Sequence, residues 1–287
     1  IILGMLGSLW ALRRALPDEA WKGAAALAAT WTGGSMNMVA VQAMLEMPAT
    51  MLAPLIVVDA LIAYSWMAVL MAAKGAAAPL TRWLRASDST IEAEDLGVPV
   101  LSADQTLPSR SRTVAAFASA AALLVVCRWI AVRLPQGALI AGSQGWTIVL
   151  ISSLSLLAAG LPAVRRVGQA GTSLGYPCLY VVLAALGAQA NFPALLNAPI
   201  WVLVGLGCLV IHAMVLALIG RVCRIPLGLL ATASQANVGG VVSAPMVGAV
   251  YHHGFAPIGL LLALAGNAAC TYVGWLVAWL GRLFAGR

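Results

Sequence analysis

Long apolar runs separated by short polar stretches dominate the chain from its first residue. They lie at Ile1 to Leu12, Trp21 to Met47, Leu52 to Ala73, Val114 to Leu134, Trp146 to Leu161, Thr172 to Ala190, Pro199 to Gly220, Leu227 to Val250 and Pro257 to Phe284. None shows the alternation of period two that a half-wet strand or a membrane barrel requires. Leu52 to Ala73 reaches about 33 Å at ~1.5 Å per residue, enough for a hydrocarbon core of ~30 Å. Backbone polar groups find no water partner at that depth, so each run must satisfy them internally as a helix. The pattern predicts an all-α, polytopic transmembrane helical bundle with about nine crossings.

The one hydrophilic stretch, Lys74 to Arg112, holds Asp88, Glu92, Glu94, Asp95 and Asp104 among scattered Ser, Pro and Gly. It reads as a linker, which divides the chain into residues 1–73, a linker at 74–112 and residues 113–287. The chain opens inside an apolar run, at Ile1-Ile2-Leu3-Gly4, and is expected to lack upstream helices of its first half.

Composition agrees with lipid as the main solvent: 62% of residues are hydrophobic and 9% charged, with a mean hydropathy of +0.96. The net charge of +7 is strung along short loops and not gathered on one face, which argues against nucleic-acid binding. If every run crosses once and the linker is cytoplasmic, only Arg128 and Arg133 fall outside. Arg13, Arg14, Lys22, Lys74, Arg82, Arg85, Arg110, Arg112, Arg165, Arg166, Arg221, Arg224, Arg282 and Arg287 then fall inside. A multi-pass protein of the inner (plasma) membrane is expected, with the lipid bilayer as its partner and a homodimer as its assembly. The cysteines, Cys127, Cys178, Cys208, Cys223 and Cys270, are odd in number and without a C-x-x-C pair, so they read as small buried hydrophobes.

Two runs carry small and polar residues at their centres. The first runs from Thr30 to Gln42, Thr30-Trp31-Thr32-Gly33-Gly34-Ser35-Met36-Asn37-Met38-Val39-Ala40-Val41-Gln42, and the second from Ala231 to Pro245, Ala231-Thr232-Ala233-Ser234-Gln235-Ala236-Asn237-Val238-Gly239-Gly240-Val241-Val242-Ser243-Ala244-Pro245. An offset of 200 matches Thr32 with Thr232, Asn37 with Asn237 and Val41 with Val241. In the next run of each, Asp59 with Tyr64 answers Asn267 with Tyr272. A weak repeat of this kind is what duplicated transporter halves leave in sequence. The glycine pairs Gly33-Gly34 and Gly239-Gly240 let the backbone leave the helix, and such backbone survives at membrane depth only when buried or lining a polar cavity. The structural alternative is that these small residues merely let helices pack closely.

Gly-Gly-Ser-x-Asn-Met-Val-Ala-Val, then Leu-Ile-Val-Val-Asp-Ala-Leu-Ile-Ala-Tyr-Ser-Trp-Met, and later Ala-Ser-x-Ala-Asn-Val-Gly-Gly, resemble the YjcL-like family of uncharacterised polytopic membrane proteins over nearly the whole chain. Val238 and Val241 depart from its pattern, where Ile and Pro are usual. The family is distantly similar to sodium/proton antiporters and bile-acid-type sodium symporters. The resemblance thus implies two inverted structural repeats, each with an interrupted (crossover) helix. Counting crossings gives both interrupted helices the same direction, so inversion would require one segment, around Tyr176-Pro177, to be re-entrant.

Asp59 is the one acid inside a confident run. An intramembrane carboxylate costs about 2.5–3.5 kcal/mol on insertion scales and usually serves an ion or a proton. Its structural alternative is a hydrogen-bonding role toward Tyr64, Asn37 or a helix end. His212 is a candidate proton relay. Metalloprotease, nucleophile-elbow and phosphate-loop signatures are missing from the sequence, and no enzyme, resident cofactor or metal site is expected.

These observations point to a secondary transporter coupled to Na⁺ or H⁺. Ser35, Asn37, Ser234, Gln235 and Asn237 would bind a small substrate or ion, with Asp59 as the titrating acid and Asn267 as its neutral counterpart. Half-helix N-termini favour anions, so a small carboxylate-bearing solute is expected. A membrane scaffold or sensor that does not transport is the alternative.

Overall fold

The computed structural model describes residues 1–86, 110–137, 139–162, 164, 181 and 198–285. The expected span Thr172 to Ala190 with Tyr176-Pro177, the linker acids, Arg165, Arg166 and Cys178 lie outside the described residues. Regular structure within them is helical: α1 (Ile2–Leu12), α2 (Ala20–Gly33), α3 (Met36–Leu45), α4 (Ala49–Ala72), α5 (Ala77–Leu84), α6 (Arg110–Ala131), α7 (Gly142–Ala158), α8 (Ala198–Cys223), α9 (Leu227–Val238), α10 (Gly240–Tyr251) and α11 (Phe255–Ala285). A single 3₁₀ turn, Ala73–Ala76, joins α4 to α5.

Among the described residues, four stretches are long and apolar enough to cross a bilayer: Ala49–Leu84, Arg110–Ala131, Pro199–Cys223 and Phe255–Phe284. Large apolar side chains such as Val114, Phe117, Leu218 and Val222 stand exposed on them, which in a bilayer places them against lipid. The protein is an all-α integral membrane protein, as its hydropathy predicts.

Both interrupted segments depart from expectation in direction. A continuous helix would hold Ala29 and Val41 about 18 Å apart. Instead, a Cβ placed on Gly274 would lie 2.9 Å from both the Ala29 Cβ and the Val41 Cγ2. In the second segment, Thr232 and Ala244 both line the Gly259 contact, and a Cβ on Gly228 would stand 2.7 Å from the Tyr251 Cβ. The chain therefore doubles back in each case: α2–α3 and α9–α10 are helical hairpins, not crossover helices.

The turns lie where glycine is required. Gly34 has φ 96° and ψ 163°, a region closed to residues with a Cβ, and Gly240 has φ 76°. Gly33 and Gly239 do not share that role. Gly33 ends α2 and packs on the Asn267 Cα and Cys270, while Gly239 has φ −111° and matters for how closely its neighbours approach.

Three long helices connect the open ends of the hairpins. α4 starts beside the base of the first hairpin, where Met51 meets Gly23, and finishes beside the base of the second, where Tyr251 Oη donates to the Leu70 carbonyl. α8 begins with Trp201 against Gly23 and ends with Gly220 against Leu230. α11 runs the other way, from Phe255 against Gly228 to Gly281 against Trp21. The hairpins thus enter from opposite ends of the bundle. Close packing of α2 on α11 follows from small residues: Ala25 and Ala29, both fully buried, meet Gly274, and the Thr32 carbonyl meets Gly266.

Doubling back also changes the charge map. Arg13 and Arg14 lie with Trp21 and Gly281 at the open end of the first hairpin. At the other end, Lys74 donates to the Val250 carbonyl and Arg221 to the Trp83 carbonyl. The expected one-sided distribution counted each hairpin as a crossing. With both returning to their own side, these basic residues divide between the two ends.

Candidate functional site

The two hairpin turns meet. A Cβ on Gly240 would stand 3.5 Å from the Gly34 Cα, so two irregular stretches of backbone touch midway along the bundle. Helix ends expose unpaired N–H and C=O groups, and this junction gathers four of them, from α2, α3, α9 and α10.

Asp59, near the middle of α4, is buried beside the junction. Ser35, the residue preceding α3, donates its Oγ to Asp59 Oδ2 at 2.6 Å, and Trp31 donates Nε1 to Oδ1 at 3.0 Å. Of the expected partners, a helix end does reach the carboxylate, at Ser35, while Tyr64 and Asn37 are elsewhere. Tyr64 points outward at 67% exposure, and Asn37 donates Nδ2 to the Gly34 carbonyl and to Asn267 Oδ1, both at 3.1 Å. Asn37 thereby ties the turn of the first hairpin to α11.

In the second hairpin, Gln235 is 1% exposed and donates Nε2 to Ser243 Oγ at 2.9 Å, leaving its Oε1 without a hydrogen-bond donor. Buried polar atoms are nearly always paired, so an orphaned carbonyl oxygen at such a place calls for an explanation. Ser234 accepts Nε1–H of Trp66 at 2.9 Å and lies 3.0 Å from His212 Nε2.

A cavity of about 340 Å³ opens at the junction, lined by Gly34, Ser35, Asp59, Gln235, Gly239 and Ser243 on its polar side and by residues such as Met38, Ile56, Met67, Val242 and Met246 on its apolar side. A second cavity, of about 370 Å³, borders Thr32, His212 and Asn237. The first carries the chemistry, because of the two it alone is lined by a carboxylate, that of Asp59, and by Gln235, whose buried Oε1 is unpaired.

The structure thus gathers Gly34, Ser35, Asp59, Gln235 and Gly239 around one space. Asn37 and Asn267 form a bond beside it, and Ser234 with His212 lies behind Gln235. Asn237 faces the second cavity and donates to the Ala233 carbonyl. The offset of 200 does not superimpose the two turns: Asn37 follows its turn, while Asn237 precedes its own. Trp31, Trp66 and Ser243 were not among the expected residues. A signal for the tryptophans exists, since an indole N–H deep in an apolar run needs an acceptor, unlike one at the membrane surface.

Fold and site together define an α-helical membrane protein with paired, oppositely inserted hairpins. The model of the family described as "Protein of unknown function (DUF819)" matches residues 1–283, and the chain belongs to that family. Neither a curated protein nor a solved structure matches it. The match agrees with the expectation of an uncharacterised family and lends nothing to the antiporter and symporter likeness.

Proposed function

We propose that the protein is a secondary active transporter, coupled to Na⁺ or H⁺, that moves a small organic solute through the junction of its two hairpin turns. The observation that carries this reading is the buried carboxylate of Asp59 facing a cavity where two breaks in helical structure meet. Irregular backbone deep in a membrane is costly, and an intramembrane acid is costly as well. Their coincidence at one cavity is what a binding site for translocation needs and what a packing role does not require.

Two hairpins inserted from opposite ends also supply a means of alternating access. Withdrawing one turn would open the cavity toward one face while the other turn keeps it closed. Competition between H⁺ and Na⁺ for Asp59, or between either and solute, would couple the two movements. Residues 1–73 and 113–287 would act as the two halves, joined by the 74–112 linker, and the chain would be a carrier without catalytic turnover.

Reconstitution in proteoliposomes with imposed Na⁺ and pH gradients tests this. Ion flux in the wild type, lost in Asp59→Asn at equal incorporation, supports the transporter. The bonds from Trp31 and Ser35 would serve a non-transporting scaffold or sensor equally well. Absence of gradient-driven flux from folded wild-type protein favours that second reading.

A further inference from the structure

We propose that the cavity between the hairpin turns binds the ammonium group of a small organic amine, with the apolar body of the amine lying along Met38, Ile56, Met67, Val242 and Met246. This rests on the reading of that cavity as the transport site and names the class of solute.

The polar side of the cavity holds acceptors with unfilled lone pairs. Asp59 receives one hydrogen bond at each oxygen, from Trp31 and Ser35, and a carboxylate has about four lone-pair sites in all. Gln235 Oε1 receives none, although its residue is 1% exposed. A primary ammonium carries three N–H donors and one positive charge. It can fill the free lone pairs of Asp59, with Gln235 as a further acceptor among the lining residues, and charge-assisted bonds of this kind are the strong ones.

Charge argues the same way. Among the described residues no Lys, Arg or His lines the cavity, and Asp59 and the phenol of Tyr64 are the ionisable side chains there. An anionic solute would face that carboxylate at low dielectric, where like charges repel strongly. At α3 the helix-end argument for an anion is met within the protein, because Ser35, which precedes its first turn, donates to Asp59, and the start of α10 at Gly240 is the other positive helix end at the junction.

Size argues for an organic body over a bare ion. One water takes about 30 Å³ of liquid, and the cavity of about 340 Å³ is bounded largely by methionine, valine, isoleucine and alanine side chains. A single Na⁺ would leave most of that apolar space empty or filled with poorly held water. Methionines adapt their shape to varied apolar bodies, and Met38, Met67 and Met246 supply three of the walls.

The test is equilibrium binding to detergent-purified protein in potassium buffer at pH 7, read by intrinsic fluorescence, because Trp31 lies against Asp59. Ethylammonium, butylammonium and benzylammonium are titrated beside benzyl alcohol, benzoate and NaCl. Saturable binding is expected for at least one amine, with benzyl alcohol and benzoate about tenfold weaker or more. Asp59→Asn is expected to weaken amine binding about ten- to a hundredfold, and Gln235→Leu about three- to tenfold. Both variants are checked for a monodisperse peak and wild-type helical content, and Gln235→Leu, which introduces no new polar group, serves if Asp59→Asn does not fold.

Benzoate binding as tightly as benzylammonium overturns the proposal, as does saturable binding of Na⁺ with none of the amines. So does amine affinity unchanged in a folded variant at either position. The two readings fail separately. Gradient-driven flux without amine binding removes the amine alone, whereas amine binding without gradient-driven flux removes the transporter alone.

Discussion

Gly239→Ala offers a quantitative test of the second hairpin turn. Gly239 has φ −111° and ψ −15°, a conformation open to any L-residue, and it joins two helices. Helix propensity alone would therefore predict a gain of up to about 1 kcal/mol for alanine over glycine. The structure predicts the opposite sign. A Cβ here would run into both Gln235 Nε2 and Ser243 Oγ, the two atoms of the 2.9 Å bond that holds Gln235 in place. Separating them leaves a buried amide donor unpaired, at about 1–3 kcal/mol, and forcing a methyl into a packed site adds about 1–3 kcal/mol. After the propensity gain, a net loss of about 1–5 kcal/mol remains. Unfolding in mixed micelles titrated with dodecyl sulfate, followed by circular dichroism, measures it. Gly239→Ala/Ser243→Ala, which removes one of the two obstacles, should recover part of the loss. A Gly239→Ala protein as stable as the wild type, or more so, would refute the packing described at this turn.

Three further outcomes are expected. Trp31→Phe keeps the ring but removes a donor to Asp59, and should destabilise the protein by about 1–3 kcal/mol in the same assay. A double-mutant cycle over Asn37→Ala and Asn267→Ala should give a coupling of about 0.5–1.5 kcal/mol, in keeping with interhelical hydrogen bonds in membranes; no coupling would mean that this bond does not join the hairpin to α11. Gly274→Leu should drive α11 away from Ala25, Ala29 and Val41, costing about 1–3 kcal/mol or preventing folding, while Gly75→Leu, whose Cβ would meet nothing within 4 Å, should not.

Much of this architecture is legible in the sequence. Apolar runs without alternation force helices, and the polar centres of two runs mark where helix must fail. Asp59 and the glycine pairs stand out for the same physical reason: each is expensive in lipid. What the sequence does not disclose is direction. A run such as Trp21 to Met47 has the length of a single tilted crossing, and Gly33-Gly34 permits a break without saying whether the chain continues or returns. That choice is made by distant contacts, Gly274 between Ala29 and Val41 and Gly259 between Thr232 and Ala244. The same limit explains the misleading offset of 200, which aligned Asn37 with Asn237 although they stand on opposite sides of their turns. It also explains why Trp31, which reaches Asp59 from the first hairpin, does not stand beside Tyr64, Asn37 and a helix end among the partners the sequence suggests.

Site-directed labelling tests most directly whether the hairpins enter from opposite faces. In a background with Cys127, Cys178, Cys208, Cys223 and Cys270 replaced by serine or alanine, single cysteines are introduced at Arg14 and at Lys74, both exposed and at opposite ends of the bundle. A membrane-impermeant maleimide is then applied to sealed vesicles of known orientation. With each hairpin returning to its own side, the two positions label from opposite faces. Labelling of both from the same face would restore a crossing segment between them and contradict the paired-hairpin fold on which the site depends.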